Sequence, residues 1–209
     1  MTDFSWEGPV SRRSGRSHAS QMRAHLAHRS ALNKWSLVRS SCHSKELLEL
    51  IAIEPTGPVI EYIVSCVSDI VDHAMVNEAL APSDPPRGRQ RRLSTPFYAF
   101  VSTVLKRSAV SAPTVLTALV YIHRARGYLS IALEEWAHER LFLGALIVAS
   151  KYTNDSTLKN VHWSLCTGVF GKHDVGVIER EFLEVLDWEL DIGERDLLEH
   201  YTGVMRSLA

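Results

Sequence analysis

The sequence predicts an all-α fold, and three observations carry that expectation. Apolar residues recur at helical spacing through most of the chain after residue 44. Proline, serine, threonine or aspartate stands where several of these periodic stretches begin. No stretch alternates apolar and polar residues between hairpin turns, as strands would.

Residues 1–43 hold seven Lys or Arg against two acids, Asp3 and Glu7, with many Ser and His. Isolated apolar residues cannot offset the entropy of ordering such a segment, so it is expected to be a flexible basic, Ser-rich arm. A short helix around Gln21–Val38 is the one element it offers, and its Arg- and Ser-rich composition also resembles a transit peptide. Ser44 is placed to cap a short helix, Lys45–Ile53. Pro55, Gly57 and Pro58 then break the chain, and Pro58 suits the first turn of a long helix running to about Ala79. Its apolar face is Val59, Ile60, Ile63, Val64, Val67, Ile70, Val71 and Ala74. Residues 44–80 therefore form a helical N-terminal unit.

Residues 81–95 read as an Arg- and Pro-rich linker. Thr95 is expected as a helix cap with Pro96 as the first helical residue, and Phe97, Phe100, Val101, Val104 and Leu105 form the apolar stripe. Pro113 opens the next helix, with Leu116, Leu119, Val120 and His123 on one side and Gly127 as the terminating residue. A central helix is expected from about Leu133 to Tyr152, apolar on all sides in its middle and so surrounded by other helices. A shorter helix, Leu158–Cys166, carries Trp163, which is expected in the core. Asp174 is expected to cap the last long helix, ending near Trp188, and Glu194–Met205 is a final amphipathic piece. Residues 96–192 thus hold five helices with the third at the centre, followed by a helical tail, 193–209.

Bulk properties bound the function. The chain of 209 residues has a formal net charge of −1, which argues against a dedicated nucleic-acid binder. The basic arm and linker leave a nucleic-acid-binding helical domain as a competing class, testable by steep salt dependence. Cys42, Cys66 and Cys166 are far apart and odd in number, as in a reducing compartment without a disulfide framework. No apolar core of a signal peptide is present, and the longest apolar run, Leu141–Ala149, is about half the ~20 residues that span a bilayer. The expectation is a soluble intracellular protein, in nucleus or cytoplasm, without membrane contact. No glycine-rich phosphate loop, nucleophile elbow, zincin pair or paired-cysteine metal motif occurs, so no catalytic residue, metal or cofactor is expected.

The informative anomaly is a charge. On a helical wheel, Val175, Ile178, Phe182, Leu183, Val185 and Leu186 share one arc, and Glu179 falls inside it at about 100° from Ile178. A carboxylate in a buried stripe needs a partner. Lys151, at the end of the central helix, carries the other charge in an awkward place.

The segments ALVYIHRAR (118–126), ERLFLGALIVASKY (139–152) and EREFLEVLDWEL (179–190) resemble the cyclin box. NDSTLKNVHWS (154–164) and FVSTVLKRSAVSAPTVLTALVYIHRAR (100–126) narrow this to a resemblance to fungal single-box PCL-type cyclins, covering about Ser44–Ile192. The resemblance implies a single five-helix cyclin box with an extra N-terminal helix and a short C-terminal helix. It implies a non-catalytic regulatory subunit that binds and activates a cyclin-dependent kinase and helps select its substrates. A cyclin-fold scaffold binding other proteins without kinase activation is the alternative. Matched residue by residue, Lys151 and Glu179 correspond to the Lys and Glu through which cyclins contact the kinase near its C-helix. An internal bridge joining two helices is the competing use for the pair. Asp155 either meets arginines of the kinase activation segment, as a phosphate would, or caps a helix with Ser156. Ser94 and Thr95 resemble basic-directed and proline-directed phosphorylation sites, and a solvated loop and cap explain them as well. RGRQRR (87–92) also suits nuclear import. The stretch PFYAFVSTV (96–104) lacks the Arg that two-box cyclins carry there, as PCL-type chains also do.

Overall fold

The computed structural model describes residues 42–78, 95–129, 131 and 135–209. Every regular element among them is an α-helix. The basic arm through residue 41 and the linker at 79–94 lie outside the described residues, and with them the expected helix at Gln21–Val38 and Ser94. The helices all belong to one compact unit, Ser44 to Ala209.

Helix α1 is Lys45–Ala52, and Ser44 caps it as expected: its Oγ accepts the Leu47 N–H at 3.2 Å. Helix α2 is Gly57–Glu78. All eight residues of its expected apolar face, Val59 to Ala74, are buried. Helix α3, Thr95–Ser108, begins one residue early, so Thr95 opens the helix rather than capping it. Pro96 at the second position is tolerated because the first four N–H groups of a helix have no intrahelical acceptor.

Helix α4 is Ala112–Ala125, preceded by Ser111. Leu116, Leu119 and Val120 are buried, whereas His123 is exposed, outside the face assigned to it. Gly127 does not take the left-handed cap conformation; the chain leaves α4 through a tight turn in which the Arg126 N–H bonds the His123 carbonyl at 3.2 Å. Helix α5, Ala137–Thr153, starts later than the expected Leu133, and Leu141 to Ser150 are buried without interruption. Helix α6 is Asn160–Thr167, ended by Gly168 at φ 71°, where a side chain would be strained. Helix α7 is Lys172–Val185. Gly171, not Asp174, is its cap; Asp174 sits one turn in and its carboxylate accepts the Gly171 N–H at 2.9 Å. Helix α7 also stops before Trp188. The expected final piece is two short helices, α8 (Glu194–Leu198) and α9 (Tyr201–Leu208), broken around His200.

Helix α5 is the axis of the fold, packed most extensively on α4 and α7, with α2 and α3 against its other sides. Burial of each Leu or Ile along it contributes roughly 1.5–3 kcal/mol, which is why this helix is apolar all round. Gly144 sets the α5–α7 approach: a Cβ there would lie 2.8 Å from Phe182 Cβ. The N-terminal and C-terminal helices of the unit are tied to each other. Ser44 Oγ donates to Glu194 at 2.5 Å, and Tyr201 donates to Glu49 at 2.7 Å. No single helix among the described residues is long and apolar enough to cross a membrane.

His200 joins these elements. It is buried, its Nδ1 hydrogen-bonds with Tyr62 Oη at 3.1 Å, and its ring packs edge-on to His123. Burial, helped by the neighbouring His123 and opposed by Glu199, pushes its pKa down to about 4. The unfolded chain binds this proton near pH 6.5, so the stability held by neutral His200 is complete above that pH and falls as pH drops toward 4. Urea unfolding at pH 5 is expected to show about 2 kcal/mol less stability from this group than at pH 7. A His200→Asn variant is expected to lose that part of the pH dependence; an unchanged slope would mean that His200 is not the group responsible.

Candidate functional site

Lys151 stands on the last turn of α5 and Glu179 at the middle of α7. The two form an ion pair across the helix interface. Glu179 is only 14% exposed, as its place in the apolar arc predicts, and Lys151 is 39% exposed. Burial of the carboxylate is thus matched by a partner that itself reaches solvent. Arg140 and Glu181 form a second ion pair between the same helices.

The residue after Lys151 is aromatic. Tyr152 is 46% exposed, with its ring edge-on to buried Tyr121 at 6.2 Å. Burial, with Tyr152 adding to the effect, raises the Tyr121 hydroxyl above its ordinary range. It therefore stays protonated and donates to the Leu190 carbonyl at 2.9 Å. Leu190 lies two residues from Trp188, which is 64% exposed. Asp187 and Trp188 have φ of 48° and 60°, a left-handed pair that turns the chain sharply out of α7. Ring packing and one hydrogen bond therefore join Tyr152, Tyr121 and Leu190, which stand next to Lys151 and two residues after Trp188 in the sequence.

Neither Tyr152 nor Trp188 stands out in the sequence as a surface residue. A helix continued to Trp188 gives its ring no special exposure; the left-handed break after Leu186 does. The available signal was the pair of acids, Asp187 and Glu189, on either side of one tryptophan.

Asp155 is exposed in the connection between α5 and α6. It caps no helix, since Lys159 precedes the first turn of α6. The base of the connection is pinned by polar side chains. Asn154 Nδ2 donates to the Ser150 carbonyl at 2.9 Å, and Thr153 Oγ1 lies 2.8 Å from Thr114 Oγ1. Asp155 follows the end of α5 that carries Lys151, four residues further along. Of the two expected phosphorylation residues, Thr95 opens α3 and Ser94 lies outside the described residues. Trp163 is fully buried, as expected. Among the described residues no three His, Cys, Asp or Glu side chains converge as a metal ligand set would.

The arrangement offers two opposite charges at a helix junction and two exposed aromatic rings on a helical frame. Residues 76–191 match the model of the cyclin N-terminal domain, more than half of the chain. The chain belongs to the cyclin family. The match spans the five helices α3–α7, and the resemblance seen in the sequence is borne out. Among curated relatives, PHO85 cyclin-1 of Saccharomyces cerevisiae is 29% identical over 160 residues, covering 75% of this chain and 56% of that one. PHO85 cyclin-2 of the same yeast is 31% identical, covering 67% of this chain and 44% of that protein. PHO85 cyclin-9 is 35% identical over 103 residues, 48% of this chain and 34% of that one. This cyclin spans about half the length, or less, of the curated relatives it matches.

Proposed function

We propose that this cyclin is a non-catalytic regulatory subunit that binds and activates a cyclin-dependent kinase and helps select its substrates. The observation that carries the reading is the Lys151–Glu179 pair, set in a cyclin domain at the positions where the family resemblance expects a kinase contact. Exposed Tyr152 and Trp188 supply the aromatic anchors that protein interfaces favour.

A kinase that needs such a partner has its C-helix poorly placed for the Lys–Glu pair that positions ATP. A rigid surface that binds only the active arrangement shifts the population toward it. In the complex, Lys151 donates to kinase carbonyls and Glu179 accepts from kinase amides, which fixes register. The internal ion pair of the free chain holds both groups ready for that exchange. Asp155, exposed beyond Lys151, meets arginines of the activation segment.

The test is affinity capture from native extract followed by a kinase assay, with Lys151→Ala plus Glu179→Ala compared against the unaltered chain. Kinase affinity is expected to fall by roughly 30-fold or more, since truncated interfacial charges cost about 2 kcal/mol or more. Folding stability should change by about 1 kcal/mol or less, because Lys151 reaches solvent and removing both partners leaves no unpaired buried charge. A folded double variant that still captured the kinase at full affinity would sink the contact role. Kinase captured without activation would favour the scaffold reading, and full activity of Asp155→Ala would remove Asp155 from the mechanism.

A further inference from the structure

We propose that Tyr121 and Arg124 of α4 are positioning residues that clamp three successive main-chain carbonyls, those of Glu189, Leu190 and Asp191, and so hold the Trp188 segment as a preformed recognition edge. The proposal rests on the kinase-binding reading and specifies how that surface is built.

Three successive carbonyls are held by two side chains one helical turn apart. Arg124 Nη1 donates to the Glu189 carbonyl at 2.7 Å and Nη2 to the Asp191 carbonyl at 2.9 Å. Tyr121 Oη donates to the Leu190 carbonyl between them at 2.9 Å. Positions i and i+3 share a helix face, which brings both donors to one stretch of chain. Arg124 is itself held. Its guanidinium lies 6.0 Å from the Tyr121 ring centre, and Nη2 is 3.8 Å from Asp196 of α8. A planar fork with fixed donor spacing can bridge two carbonyls; a lysine ammonium cannot reproduce that geometry.

The clamp lies next to a left-handed turn that closes the end of α7, where the Asp187 N–H bonds the Glu184 carbonyl at 3.0 Å. Asp187 and Trp188 both have positive φ without being glycine. Such conformations persist only where the surroundings over-determine them. On the α7 side, the Trp188 N–H bonds the Leu183 carbonyl at 3.1 Å and the Glu189 N–H bonds the Leu186 carbonyl at 2.9 Å. On the other side, Tyr121 and Arg124 restrain residues 189–191 through their carbonyls. The ring of Trp188 gains little burial from this, being 64% exposed. A strained, doubly anchored turn that presents an exposed tryptophan serves an outside partner better than it serves the core. Ordering the segment before encounter removes an entropic cost that binding would otherwise meet.

The experiment compares the unaltered chain with Arg124→Lys, which keeps the charge but loses the fork, and Tyr121→Phe, which keeps the ring but loses the donor. Each is read by amide hydrogen exchange, by kinase affinity, and again in combination with Trp188→Ala. Expected are intact protection in α4, α5 and α7, exchange at residues 187–192 faster by about tenfold, and kinase affinity weaker by about tenfold. With Trp188 already removed, the clamp substitutions should weaken binding by much less, because both act through one anchor. Faster exchange with unchanged affinity, or losses fully additive with Trp188→Ala, would overturn the positioning role alone. Absence of any kinase binding by the unaltered chain is a different result: it overturns the kinase reading and this proposal with it.

Discussion

Trp188→Ala is expected to weaken kinase capture by roughly 30-fold or more while the isolated chain keeps its stability to within about 0.5 kcal/mol. The first figure follows from what truncating a buried aromatic anchor at an interface costs, about 2 kcal/mol or more. The second follows from exposure: at 64% exposed, the ring contributes little to the core of the free chain. Its large apolar area and few rotatable bonds make it an effective anchor once a partner covers it. The measurement is a titration with the captured kinase beside a urea melt of the isolated chain. Loss of stability matching the loss of affinity would show that Trp188 supports the fold instead.

Trp163→Ala is expected to do the reverse. Trp163 is fully buried in α6, and α6 rests on α3 and α7. Removing the indole leaves a cavity that helices anchored on α5 cannot close, at a cost of about 3–5 kcal/mol. That is a large fraction of the ~5–15 kcal/mol that keeps a domain folded. Urea or thermal unfolding of the isolated chain measures it, and a loss below about 1 kcal/mol would mean that α6 is not integral to the core. Kinase affinity of whatever fraction stays folded should be near normal, because a fully buried ring offers a partner no surface.

The two tryptophans differ in how their places are encoded. Trp163 lies in a short helix between His162 and Ser164, where the large indole is the side chain that gains most from burial. Trp188 follows a helix whose end is set by backbone geometry. Asp187 is a residue type that tolerates the left-handed region, but nothing in LDWEL announces that Trp188 follows it there. The same limit explains Asp174 and Thr95, each misplaced relative to a helix start. A capping carboxylate works equally well from the cap position or from one turn inside, and only the bond to the Gly171 N–H distinguishes them. Glu179 was legible because its anomaly is periodic: a charge within an apolar arc. Lys151 was legible as its candidate partner because it closes the one helix that must be central. The Tyr121–Arg124 clamp was not legible. It joins residues more than sixty apart through main-chain carbonyls, which carry no sequence signal.

Local sequence suffices for the all-α class, the central place of α5, the buried face of α2, the Ser44 cap, and the need for a partner beside Glu179. Each of these follows from periodicity or capping chemistry, where neighbours a few residues apart decide the energy. Only the assembled helices settle which ion pair Glu179 makes, how closely α5 and α7 approach at Gly144, that Asp155 caps nothing, and which aromatic rings face outward. Those outcomes depend on the distance between helices remote in sequence and on carbonyls turned by a strained chain. Packing sets both, and no local pattern of residue types encodes them.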